Sequence, residues 1–180
     1  MNAAHVSAPG ILATIAVAVS IHSAPHFGLG CTGAVAVTAS SGDAQYEVTP
    51  ASVNGRPVLA ISLGGREGPG SLLLYLEGER LPPAGRYPIQ SSWSDQGTGP
   101  LAFHAGFAAG TPEHPLGWFH GESGWVTITK SAPGRMSGSF DILARGYLAA
   151  DPDNENQWVS LRGSFDAAGD GSSTAIAGVQ

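Results

Sequence analysis

Trp125-Val-Thr-Ile-Thr-Lys130, Arg135-Met-Ser-Gly-Ser-Phe-Asp-Ile142 and Gln157-Trp-Val-Ser-Leu-Arg-Gly-Ser-Phe-Asp-Ala167 alternate apolar and polar residues with period two. Val126 and Ile128 share one face, with Thr127 and Thr129 on the other. Met136, Gly138, Phe140 and Ile142 oppose Arg135, Ser137, Ser139 and Asp141. Val159, Leu161, Gly163 and Phe165 oppose Trp158, Ser160, Arg162, Ser164 and Asp166. Side chains of a strand point alternately to its two faces, so this pattern marks antiparallel strands with one face on a core and one in water.

Outward from these segments the period persists. Ser71 to Glu77 and Leu101 to Ala109 alternate, with Leu101, Phe103 and Phe107 expected on the core face. Val58 to Leu63 is an apolar run, interrupted only by Ser62, that suits a strand covered on both faces. Asn54-Gly55, Gly64-Gly65, Pro69-Gly70, Pro82 to Gly85, Gly97 to Pro100 and Pro133-Gly134 punctuate the runs with turn residues. Outside the first thirty residues no segment carries helical spacing. The expectation is one all-β domain, a single antiparallel β-sandwich or flattened barrel of about eight to ten strands.

Gly138-Ser-Phe-Asp141 recurs as Gly163-Ser-Phe-Asp166. Glycine inside a strand weakens it unless something packs close. A large side chain from a neighbouring strand is expected over each glycine, with Phe140 and Phe165 in the core.

The chain's only cysteine, Cys31, follows an apolar run from Ile11 to Ile21. Eleven residues are too few to span a bilayer, which needs about 20, but match a signal-peptide core. Phe27-Gly-Leu-Gly-Cys31 resembles the lipobox of bacterial lipoproteins, in which small residues precede a cysteine that becomes an acylated N-terminus. Gly28 stands where that pattern has leucine, and the leader contains neither Lys nor Arg. Pro83-Ala-Gly-Arg-Tyr-Pro88, Gly124-Trp-Val-Thr-Ile-Thr129, Arg135 to Phe140 and Gly163 to Asp166 together resemble a family of uncharacterised bacterial lipoproteins with a small all-β domain. The resemblance covers roughly residues 55 to 167. It implies an envelope location and a β fold, and no activity.

On this reading residues 1–30 form a signal-peptide-like leader and 31–44 the lipidation site and linker. Residues 45–170 form the all-β domain and 171–180 a flexible tail. The partner is the membrane, reached through an acyl anchor on Cys31, which gives a lipid-anchored cell-envelope protein. The alternatives are a secreted or periplasmic protein without lipid, or a cysteine buried in an N-terminal strand.

All acidic and basic residues follow Cys31, and the net charge is −6 with a single lysine. No basic patch exists to capture nucleic acid or anionic lipid. One cysteine excludes an internal disulfide and a thiolate zinc site. No catalytic residue and no cofactor is assigned. Ser92, Ser94 and Ser123 lie outside any G-x-S-x-G elbow. Glu113, His114 and His120 offer zinc-type donors without a recognised spacing, and His104 is expected to face solvent or a loop. Asp151-Pro-Asp-Asn-Glu-Asn156 carries hard oxygen donors but reads as a solvated turn. The remaining candidates are Trp93, Trp118, Trp125 and Trp158. Exposed on a sheet, such rings stack on a sugar or anchor a protein; packed, they cover a second apolar layer.

The expected function is therefore a non-enzymatic structural or binding role at the envelope. A glycan- or small-ligand-binding module built on the tryptophans is the main rival, and a metal-assisted hydrolase using His104, His114 and His120 a weaker one.

Overall fold

Alternation in the sequence becomes strands in the computed structural model, which describes residues 24–40, 43–49, 57–64, 68–78, 80–91 and 101–169. The strands are β1 (His26–Gly33), β2 (Val37–Ser40), β3 (Ala44–Thr49), β4 (Val58–Leu63), β5 (Gly70–Glu77), β6 (Gly85–Pro88), β7 (Phe103–Gly110), β8 (Pro115–Ala132), β9 (Arg135–Leu148) and β10 (Gln157–Gly169). Among the described residues there is no helix.

Neighbouring strands run β3–β4–β5–β7–β8–β9–β10. β10 then returns to β3 through Ala168–Gln45 and Gly169–Tyr46, a short parallel junction. The pairings thus form a closed ring, a barrel rather than a sandwich. Two long strands each serve two neighbours on one edge. β10 pairs β1 over Val159–Asp166 before it reaches β3, and β8 pairs β7 over Pro115–His120 and β6 over Trp125–Ile128. Closure pairs each of those seven strands on both sides, while β2, at the end of the β1 branch, is paired by β1 alone.

The interior is apolar. Leu59, Ile61, Leu74, Phe103, Phe107, Val126, Ile142 and Leu161 are all buried in one cluster. The outward faces of β9 and β10 carry Ser, Asp and Arg together with exposed Leu143 and Trp158, around an apolar interior that is the reverse of the polar lumen of outer-membrane barrels.

The two Gly-Ser-Phe-Asp segments face each other in register. Gly163 lies opposite Phe140, and Gly138 opposite Phe165. A Cβ added to Gly163 would come within 2.5 Å of the Phe140 Cζ, and one added to Gly138 within 2.8 Å of the Phe165 Cζ. Each ring therefore fills the space its partner's glycine leaves open. Outside, Arg135 donates from Nε and Nη2 to the two Asp166 carboxylate oxygens, both at 2.6 Å, and the Ser137 hydroxyl donates to Oδ1 at 2.8 Å. These bonds, Arg135 first, hold the Asp166 carboxyl below the usual carboxylate range. Arg162 makes the matching, more exposed pair with Asp141 at 3.2 Å.

The Pro83 to Pro88 phrase has a local cause. The Tyr87 hydroxyl donates to the Pro83 carbonyl at 2.7 Å, closing the turn, while its ring meets Phe103 edge-on at 5.7 Å.

Three placements differ from the sequence-based expectations. β1 begins at His26, ahead of the division at residue 31, and the stretch 31–44 holds the end of β1, all of β2 and the first residue of β3. Phe27, Leu29 and Cys31 alternate into the core, so the small residues between them are the outward positions of a strand. Leu101 lies ahead of β7 and is 54% exposed, so alternation carried its core assignment too far. Ser62 makes β4 half-exposed rather than covered on both faces. The apolar run 11–21 and the tail 171–180 lie outside the described residues.

Candidate functional site

Three tryptophans stand on the outward face of the β8–β9–β10 sheet: Trp118 at 55% exposure, Trp125 at 42% and Trp158 at 41%. Trp93 lies outside the described residues. Trp118 and Trp125 are seven positions apart on one strand, so regular alternation would put them on opposite faces. A register shift between Gly121 and Ser123 adds one residue to β8 against β9. That bulge reverses the parity and brings both rings to the same side.

The register sets the spacing. Trp118 pairs with Tyr147 in one row, and His120, Arg145 and Trp158 form the next. Trp125, Asp141 and Arg162 form a row further along. From ordinary strand geometry, Trp118 and Trp158 are roughly 12 Å apart at Cα, and Trp158 and Trp125 roughly 16 Å.

The rings differ in availability. The Arg86 guanidinium lies 4.2 Å from the Trp125 ring centroid, a close cation–π stack. Arg145 is 5.8 Å from the Trp158 centroid, near the limit of that interaction. Its Nε also donates to Glu122 Oε1 at 3.0 Å, and His120 Nε2 is 3.1 Å from the same oxygen. Among the described residues no cation lies over Trp118.

Trp118 also forms one wall of a depression that sequence reasoning missed. Along β7 the outward positions are His104, covered by the segment after β6, then Gly106, Ala108 and Gly110, while Phe103 and Phe107 point inward. From Gly106 onward the outward side is almost bare, and among the described residues a Cβ built on Gly106 meets nothing within 4 Å. β5 rises on one side with Ser71 and Leu73, and β8 on the other with Trp118. The result is an open trough that widens, between Gly70, Gly110, Pro112 and Pro115, into a depression of about 490 Å³. The signal in the sequence is the large–small rhythm of Phe103-His-Ala-Gly-Phe-Ala-Ala-Gly110.

The other candidates separate. His104 is not solvent-facing: it is 8% exposed, stacked on Tyr75 at 5.4 Å, and covered by the segment after β6, where Gln90 N donates to the Phe103 carbonyl. Burial lowers its pKa, against a backbone hydrogen bond at Gln90 and the Glu77 charge, which both raise it. His114 sits in an exposed turn closed with Thr111, and His120 belongs to the Glu122 pair. Among the described residues no three His, Cys, Asp or Glu side chains are grouped to hold a metal. In the Asp151–Asn156 turn, Asn154 Nδ2 donates to Asp151 Oδ2 at 3.3 Å.

Cys31 is 2% exposed, in the middle of β1 opposite Leu161, with its Sγ 3.6 Å from the Val35 carbonyl oxygen. Burial pushes its pKa up to about 11, so the thiol stays protonated and inert.

The chain matches no protein family, no curated protein and no solved structure.

Proposed function

We propose that this protein is a non-enzymatic binding module acting at the cell envelope, with the outward face of β7–β10 as its working surface. One observation carries the reading: the bulge in β8 turns Trp118 and Trp125 to the same side as Trp158, where all three rings are exposed. Keeping large aromatic side chains in water costs free energy, and their clustering on one polar face is characteristic of recognition surfaces.

The test is co-sedimentation of the folded protein with a washed bacterial envelope fraction. Trp118→Ala with Trp158→Ala is expected to abolish retention while leaving the melting midpoint unchanged. Retention equal to wild type in that double variant would overturn the reading.

The apolar run at 11–21 supports export. The burial of Cys31 favours a mature chain that keeps β1, secreted or periplasmic, over an acyl anchor on that sulfur. Cleavage before Cys31 would remove Phe27 and Leu29 from the core, and acylation would require the thiol to leave it. Intact mass of the exported protein distinguishes the two routes. Expected is a start ahead of His26 with no acyl addition; a mass for 31–180 plus acyl chains would restore the anchor.

A further inference from the structure

Resting on the binding reading above, we infer that the β7 trough is a glycan subsite: one sugar ring of a neutral, hydroxyl-rich oligosaccharide stacks on Trp118, and the chain continues toward Trp158.

The floor is the first argument. Gly106, Ala108 and Gly110 leave this half of the outward side of β7 with a single methyl group, between walls two strand spacings apart, roughly 10 Å. That width admits one extended chain and is too narrow for a helix with its side chains, about 10–12 Å across. Trp118 supplies a flat apolar face that no cation among the described residues covers. A pyranose ring is amphipathic in the same way as this site, with C–H groups on its faces and hydroxyls at its rim.

The surroundings are the second argument. Between Trp118 and Trp158 stand Tyr147, His120 and Arg145, the last two bonded to Glu122 from further along β8. They offer a hydroxyl, a forked donor and a carboxylate, which can bond the rim hydroxyls as donors and acceptors. The exposed leucines of this surface, Leu73, Leu116 and Leu143, flank that stretch singly rather than filling it. Charges of both signs alternate there, and the chain as a whole is −6, which disfavours an anionic polymer. Two rings roughly 12 Å apart match a chain of a few sugar units crossing β9 obliquely.

The trough also supplies its own control. Because space above Gly106 is empty, Gly106→Val fills the subsite from the solvent side without touching the barrel interior. Hexasaccharides of β-linked glucose, β-linked N-acetylglucosamine and α-linked glucose are titrated separately into the full chain, with binding read by calorimetry and by tryptophan emission. At least one is expected to bind and to change the emission. Trp118→Ala and Gly106→Val are each expected to weaken that binding tenfold or more at an unchanged melting midpoint, whereas Leu101→Ala, outside the trough, leaves it within twofold. Binding of none of the three, or wild-type affinity in Trp118→Ala, overturns the glycan assignment. If envelope retention still depends on Trp118 and Trp158 in that event, the binding reading stands and the ligand is of another class; if retention is also independent of them, both fall.

Discussion

Gly163 and Gly106 are both strand glycines, and they do opposite things. Gly163 faces the barrel interior, where Phe140 of the neighbouring strand occupies the space a side chain would take. Gly106 faces outward, and among the described residues nothing occupies that space. A missing side chain inside a closed barrel is filled by the chain itself, since voids forfeit contacts. Outside, the same omission leaves a recess beside an exposed aromatic ring. The first kind of glycine serves stability and the second shapes a surface.

The sharpest way to break this contrast is to empty the inner pair. Phe140→Ala leaves a cavity beside Gly163 and is expected to destabilise the fold by about 3–5 kcal/mol, measured by urea denaturation. Overfilling it is the next largest effect. Gly163→Ala drives a methyl group into the Phe140 ring and the Gly28 backbone, with an expected loss of about 1–3 kcal/mol. Gly163→Ala combined with Phe140→Leu should recover part of that loss if ring contact is the cause; simple additivity of the two would instead assign the cost to the backbone of β1.

The bonds outside the inner pair add a pH dependence. Asp166 has its folded-state pKa lowered by Arg135 and Ser137, so its contribution is full above the ordinary carboxylate range and is lost as pH falls through the folded value. Urea midpoints followed from about pH 7 to about pH 3 should fall less steeply in Asp166→Asn than in wild type, starting from a lower plateau. An identical slope would show that other carboxylates set the acid limb. The smallest effect belongs to the outer glycine: Gly106→Val is expected to change stability by no more than about 0.5 kcal/mol. A loss as large as that at Gly163 would mean the trough is part of the packed structure and not a free surface.

Much of the wall was legible beforehand. Period-two alternation located β5, most of β7, the second part of β8, the first part of β9 and most of β10, because burial of one face imposes that pattern whatever the partner strand is. The repeated Gly-Ser-Phe-Asp was legible as a packing device, since an interior glycine calls for a large neighbour. Its reciprocity was not, because register between strands is set by the turn and by both patterns together. The candidate surface was half legible. Trp125 and Trp158 fall on the polar side of their strands by counting alone. Trp118 does not, because one extra residue in β8 reverses the count and leaves no mark in local composition. His104 misled for a related reason: it does point outward from β7, but the segment around Ile89 and Gln90 lies over it, a long-range contact that no local pattern encodes.

By itself the sequence determined that the chain forms antiparallel strands with an apolar and a polar side, and that Trp125 and Trp158 fall on the polar side of theirs. Those properties belong to single strands and follow from the geometry of an extended backbone. Tertiary structure decided that the wall closes through β10 and β3, that Cys31 lies inside it, and that three rings and an empty trough share one outer region. These depend on which strands become neighbours and in what register, and such pairings join residues far apart along the chain.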